Sequence, residues 1–187
     1  MCLKGIQANI VGMAELGLRW HKIPTKDRLW ERTHGWFESI KVAVAYNQHK
    51  DHKQTVQWGG TSIWSINNAI HRAIESGADL SGLGRWSWTR YRGRGNVTLR
   101  VISAYRPCLS HGPLTVYAQH QNYFDSKDIE GCPRDLFTSH LLEELDTWIA
   151  SGDQIILMMD ANEDIRTYQQ AFQSILTLAW TTGTSDF

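Results

Sequence analysis

The sequence predicts an α/β (α+β) fold, with sheets inside and helices outside. Three observations carry that prediction. Short strands with an apolar character recur along the chain and end at polar residues, most clearly at residues 10–15, 58–66 and 155–159. A strand–turn–strand pattern spans residues 85–105. Residues 134–150 place apolar side chains at helical spacing just before the last apolar run. A chain of 187 residues can bury a sizeable core, so residues 1–187 read as one domain.

Residues 2–8 have the spacing of the end of an amphipathic helix. Asn9 then leads into Ile10-Val11-Gly12-Met13-Ala14-Glu15, a short apolar strand that ends on a carboxylate. Taken alone, Glu15 could equally be an exposed acid in a strand-to-loop turn. Residues 24–36 read as a polar, locally basic loop and short helix holding Trp30 and Trp36, and residues 42–46 as a strand. His49 and His52 have a spacing that can bind metal, but Lys50 and Lys53 would repel a cation, so they read as loop histidines. Residues 58–66 form another strand, entered through Gly59-Gly60, which permits close backbone approach. Ala69, Ile70, Ala73 and Ile74 then predict a helix over 67–76, with Gly77 as its stop.

The hairpin follows: residues 85–92, a turn at 93–96, and the return over 97–105. Val97, Leu99, Val101, Ser103 and Tyr105 share one face, so Tyr105 caps a largely apolar row. Arg106 comes next, and Pro107 ends the strand. Arg90, Arg92 and Arg94 gather at the turn, either as contacts for a phosphate backbone or as a solvated basic tip. Residues 109–133 read as a long polar loop, and such a loop in a compact domain is often functional. Residues 134–150 are an amphipathic helix with Leu136, Phe137, Leu141, Leu145 and Trp148 on or near one face, and residues 168–178 predict a last helix.

Between those helices lies the most informative stretch. Ile155-Ile156-Leu157-Met158-Met159 reads as a strand buried on both faces, and it breaks at Asp160-Ala161-Asn162-Glu163-Asp164. Side chains two apart in a strand point the same way, so Asp160 and Asn162 are expected side by side at its end. A carboxylate and an amide on a rigid element suit a water, a phosphate oxygen or a hard cation. The same letters also make an ordinary turn. Glu15 and Asp160, each ending an apolar strand far apart in sequence, fit a metal site at one rim of a sheet.

Composition narrows the classes. Lys+Arg and Asp+Glu are 19 each, so no global basic field argues for nucleic acid, although a local stripe suffices. Nine tryptophans need an interior or a platform. Three cysteines at wide spacing suggest neither a disulfide framework nor a zinc site; they fit a reducing compartment, hence an intracellular place, nuclear or cytoplasmic. No apolar run is long enough to cross a membrane.

Four stretches together resemble the endonuclease/exonuclease/phosphatase superfamily, the group of DNase I and the abasic-site endonucleases. Residues 9–15 are similar to its metal-ligand strand, with Ala14 where the family has Gln before the Glu. Trp58-Gly59-Gly60-Thr61-Ser62-Ile63 resembles its Gly-Gly strand, and residues 101–107 its strand ending in a phosphate-contacting Tyr. Met159-Asp160-Ala161-Asn162 resembles its Gly-Asp-Phe-Asn motif. The wording of residues 83–88 and 158–163 looks most like the endonuclease domains of retrotransposon-type proteins.

The resemblance implies a DNase I-like sandwich of two mainly antiparallel sheets flanked by helices. It implies a metal-dependent phosphodiester hydrolase acting on nucleic acid, DNA rather than RNA. Glu15 would hold Mg²⁺, with Mn²⁺ as a substitute; Tyr105 would contact the scissile phosphate; Asp160 and Asn162 would orient the attacking water and the phosphate. Arg90, Arg92, Arg94 and Arg106 are the expected nucleic-acid contacts, and a reverse transcriptase segment of the same polyprotein the expected partner. The family's first strand lies upstream of Glu15, and its terminal Ser-Asp-His is matched here only by Ser185-Asp186-Phe187, too near Asn162. The expectation is therefore an incomplete domain, lacking the first strand and the C-terminal part. Two other readings stay open: an inactive remnant that binds nucleic acid or protein, and a phosphatase for small phosphorylated substrates.

Overall fold

In the computed structural model the described residues are 8–49, 58–110, 112–163, 173 and 175, and they build two sheets around the apolar runs. The first sheet holds β1 (Ile10–Met13), β3 (Thr61–Ile66) and β2 (Ile40–Ala45), in that order and antiparallel. The second holds β4 (Ala73–Ala78), β5 (Trp86–Arg92), β6 (Thr98–Tyr105) and β7 (Asp153–Asp160). Its pairs are antiparallel except β6 with β7, which run parallel. Helices α1 (Leu29–Thr33), α2 (Val116–Asp125) and α3 (Pro133–Ala150) complete a mixed α/β architecture with two mostly antiparallel sheets. Among the described residues no helix is long and apolar enough to cross a membrane.

Side-chain alternation along β6 builds two of the three apolar layers. Val101 faces the other sheet and packs with Ala43, Ile63, Ala69 and Tyr91. Ile102 and Ala104 face the opposite way, where α3 covers them with Phe137, Leu141, Leu145 and Trp148. A third cluster, Ile40, Trp64 and Ile66, packs beneath Leu29 and Phe37 on the first sheet. Each such side chain taken fully from water stabilises the fold by about 1.5–3 kcal/mol, before the entropy of ordering is counted.

The structure departs from the sequence reading in three places. Residues 67–76 are not one helix: a 3₁₀ turn, Asn67–Arg72, gives way to β4. Two helical turns are marginal in water, whereas the edge of β5 offers a full ladder. Gly77 is no helix stop, because it is the point where β4 crosses Trp88; a Cβ there would lie 2.5 Å from the indole Cζ2. Residues 109–133 are not all loop, since α2 forms with Thr115 Oγ1 accepting from the Ala118 amide at 3.2 Å. Its buried face is Val116, Gln119, His120 and Phe124, half of it polar, so its letters read as a polar loop. Finally, β7 is not buried on both faces. Ile155, Leu157 and Met159 pack toward α3, while Gln154 and Ile156 are exposed. All but Ala8 of the expected helix end at residues 2–8 lies outside the described residues, as do residues 184–187 and most of 168–178.

The end of the second sheet where β7 begins is pinned by one buried carboxylate. Asp153 accepts from Arg90 Nε at 2.7 Å, Arg100 Nε at 2.9 Å and Thr98 Oγ1 at 2.5 Å. Arg100 is in turn sandwiched by Trp88 and Trp148, 4.0 and 4.6 Å from the ring centroids. Burial pulls the Asp153 carboxyl up, but the hydrogen bonds from Thr98, Arg90 and Arg100, with the Arg100 charge, hold it below the usual range. A depressed carboxylate contributes stability above its unfolded pKa, about 4, and loses it as pH falls through the folded value. Asp153→Asn leaves Arg100 buried without its counter-charge and is expected to cost about 3–5 kcal/mol in urea denaturation at neutral pH. It should also remove part of the loss of stability seen below about pH 4. A cost under about 1 kcal/mol would show that the cluster does not carry this end of the sheet.

Candidate active site

β1, β6 and β7 all end at one rim of the sandwich, where β3 begins. Continuing the β1–β3 register past Met13↔Ser62 would set Leu16 opposite Gly59. Instead the Leu16 amide donates to Gly60 O at 3.1 Å, and Gly17 to Gly59 O at 3.0 Å, so one extra residue bulges from β1. Glu15 sits at this bulge with φ +52°. Gly59 and Gly60 make the bulge possible: their φ values are +85° and +90°, and a Cβ on Gly60 would stand 3.1 Å from Ala45 O.

Two contacts tie this strand end to the other sheet. Ser103 Oγ donates to Met13 O at 2.8 Å, and Tyr105 Oη donates to Glu15 Oε1 at 3.2 Å. Burial raises the Tyr105 phenol well above its ordinary pKa, and the neighbouring Glu15 and Cys108 raise it further. Tyr105 is therefore a protonated hydrogen-bond donor at any ordinary pH.

Tyr105 is paired in register with Asp160, and the Arg106 amide donates to Asp160 O at 3.0 Å. β7 stops at Asp160, so strand alternation does not bring Asn162 beside it. A turn does: the Asn162 amide donates to Asp160 Oδ1 at 3.2 Å, with Asn162 at φ +48°. The stretch is thus a turn that sets Asp160 and Asn162 together. The Asn162 carboxamide donates through Nδ2 to Arg106 O at 2.7 Å and accepts at Oδ1 from Cys108 Sγ at 2.8 Å. An amide carries two N–H groups, and among the described residues one of them has no partner.

A clamp that the sequence did not suggest fixes this geometry. Arg134, in the first turn of α3, donates to Pro107 O at 2.6 Å, Asn162 O at 3.2 Å and Glu163 Oε1 at 3.4 Å. Arg106 Nη1 donates to the same Glu163 oxygen at 2.5 Å, and Arg106 Nε to Arg134 O at 3.3 Å. Two guanidinium groups converge on one carboxylate and join the loops that follow β6 and β7 to α3. Arg106 is only 5 % exposed, and its guanidinium is taken up in holding the loop. Arg134 and Glu163 could have been suspected only from their nearness to Pro133 and Asn162; nothing in local periodicity pairs residues 29 apart.

The other expected contacts lie elsewhere. Arg90, Arg92 and Arg94 sit toward the far end of β5, and the length of β6, Thr98 to Tyr105, separates that end from the rim by about 20 Å. Arg90 is also bound to Asp153. His49 packs on Tyr123, with ring centroids 4.3 Å apart, and its Nε2 lies 2.8 Å from Ser81 O; His52 is outside the described residues. Among the described residues no group of three or more His, Cys, Asp or Glu could by itself hold a metal ion. A cleft of about 600 Å³ opens between the 79–86 segment and α3, beside the rim and not at it. Its Arg85 is already engaged by Asp79 at 2.7 Å and faces His140 Nδ1 at 3.0 Å.

No protein-family model and no curated protein matches the chain.

Glu15 is held in a conformation that L-residues with a Cβ disfavour by about 1–2 kcal/mol. Glu15→Gly relieves that strain while removing the Tyr105 contact, whereas Glu15→Ala keeps the strain and loses the contact. Glu15→Gly should therefore be more stable than Glu15→Ala by about 1 kcal/mol in thermal or urea unfolding. The reverse order would mean that residue 15 is not in the left-handed region.

Proposed function

We propose that this rim is a phosphodiester-cleaving site and that the chain is a metal-dependent endonuclease of the endonuclease/exonuclease/phosphatase type, with a DNase I-like sandwich. The observation that carries the reading is the 3.2 Å contact between Tyr105 Oη and Glu15 Oε1. It joins two stretches that separately resemble the family's metal strand and phosphate strand, and the Asp160–Asn162 turn lies directly beside them.

Each residue type has a task there. The Glu15 carboxylate is exposed, and its partner among the described residues is a neutral phenol. One carboxylate of that kind suits Mg²⁺, which is commonly held by one or two carboxylates with waters and substrate phosphate oxygens supplying the rest. Mn²⁺ would serve similarly. The ion's contribution when bound is to polarise a phosphoryl oxygen and offset the charge that builds on it. Tyr105, kept protonated, donates to a phosphate oxygen. The remaining Asn162 N–H is a second donor. Asp160 presents a carboxylate that accepts from the attacking water and aligns it for in-line displacement. The clamp of Arg106, Arg134 and Glu163 keeps these groups in place on strand ends.

A retroelement origin follows from the wording of residues 83–88 and 158–163, and with it DNA as substrate, a reverse transcriptase segment as partner and a nuclear or cytoplasmic setting. Nicking of supercoiled plasmid in Mg²⁺ tests the activity. Conversion to open circles should need the metal, stop with EDTA, and fall about 10²-fold or more in Asp160→Ala. Nicking that survives both changes would overturn the assignment. A folded chain that binds DNA and leaves it uncut would instead support the inactive binding module.

A further inference from the structure

Of the eight tryptophans among the described residues, seven lie against another aromatic ring. Trp20 stacks with Trp30, Trp36 and Trp88 meet Trp64 and Trp148 at a tilt, and Trp86 meets Phe137 edge-on, at centroid distances of 5.6 to 6.3 Å. Trp36 has comparable exposure, 44 %, but Trp64 supports its ring. Trp58 is the exception: 46 % exposed, with no aromatic partner among the described residues. Its position is equally distinct. The ring edge rests over the backbone of Gly17, two residues beyond Glu15; a Cβ there would lie 3.6 Å from Trp58 Cε3. The next residue, Gly59, abuts the Tyr105 ring, 3.9 Å from its Cδ1 measured in the same way. Gly17, at φ +58°, carries no side chain to push the indole away.

We propose that Trp58 is a stacking platform for the nucleobase next to the phosphate that Tyr105 contacts. The site then takes a polynucleotide presenting an unpaired base at that position, and gains nothing from Trp58 with a small phosphate ester. The inference rests on the phosphodiester reading of the rim. A half-exposed indole held at its edge, with no ring partner among the described residues, is a surface on which bases stack without regard to sequence. The neighbouring donors take the phosphate, which is the usual division between backbone and base contacts on single strands. It also supplies a reason for a polynucleotide substrate that the Arg90–Arg92–Arg94 hairpin, at the far end of the sheet, does not.

The test compares two labelled strands by fluorescence anisotropy: a short oligothymidylate, and an abasic deoxyribose-phosphate strand with the same number of phosphates. All measurements use Mg²⁺ and an Asp160→Asn background so that neither strand is cut. Trp58→Ala should weaken oligothymidylate binding about ten-fold or more and leave the abasic strand unchanged; Trp58→Phe should keep most of the affinity. An equal loss on both strands, or no loss on either, overturns the platform. If neither strand binds the unsubstituted Trp58 protein, the rim reading and the platform fail together. If the base-dependent pattern holds but plasmid is never nicked, only the hydrolytic reading fails.

Discussion

The parallel register that sets Tyr105 opposite Asp160 is the constraint on which the candidate site depends. Parallel neighbours cannot be joined by a tight turn, so the chain must cross back, and α3 is the crossover's principal element. Two consequences follow. β6 and β7 end at the same rim, which brings a phenol and a carboxylate together although 54 residues separate them in the chain. The crossover helix also begins beside that rim, so its first turn can reach both strand-end loops through Arg134. The antiparallel first sheet then needs only a bulge after β1 to deliver Glu15 from the opposite layer.

Position and strain coincide in this arrangement. Four non-glycine residues among those described adopt positive φ, and two of them are Glu15 and Asn162. Such conformations persist where surrounding contacts over-determine them. At Asn162 those contacts are visible: the Asp160 carboxylate, Arg106 O, Cys108 and Arg134 all hold it. At Glu15 the paired amides of Leu16 and Gly17 fix the bulge from behind. The rigidity is built from hydrogen bonds and buried charge, because the rim is where the apolar layers stop.

Strand ends were the most legible feature of the sequence. An apolar run that stops on Asp or Glu announces both a strand and the polar group at its tip, which is why Glu15, Tyr105 and Asp160 could be named from local pattern. The hairpin was legible from its turn residues, and α3 from Phe137, Leu141, Leu145 and Trp148 at helical spacing. Elements with a mixed signal were not. β4 carries Ala and Ile at helical spacing yet joins β5, because a ladder partner is a tertiary fact absent from its own residues. α2 buries Gln119 and His120 beside Val116 and Phe124, so its polar letters read as loop. The Arg106–Arg134–Glu163 clamp and the indole of Trp58, exposed and without a ring partner among the described residues, depend on long-range placement, which no local pattern encodes. The charge of the basic turn at 92–94 is visible in sequence, and its distance from the rim is not.

In the proposed function, Glu15, Tyr105 and Asp160 converge on one site for a divalent cation and a phosphodiester. Mn²⁺ binding followed by electron paramagnetic resonance puts this to the test, comparing the natural chain with Glu15→Gln in the presence of an oligothymidylate. The natural chain should give a bound Mn²⁺ signal that the strand enhances, and Glu15→Gln should lose it with the fold intact. Equal Mn²⁺ binding by both proteins would contradict it.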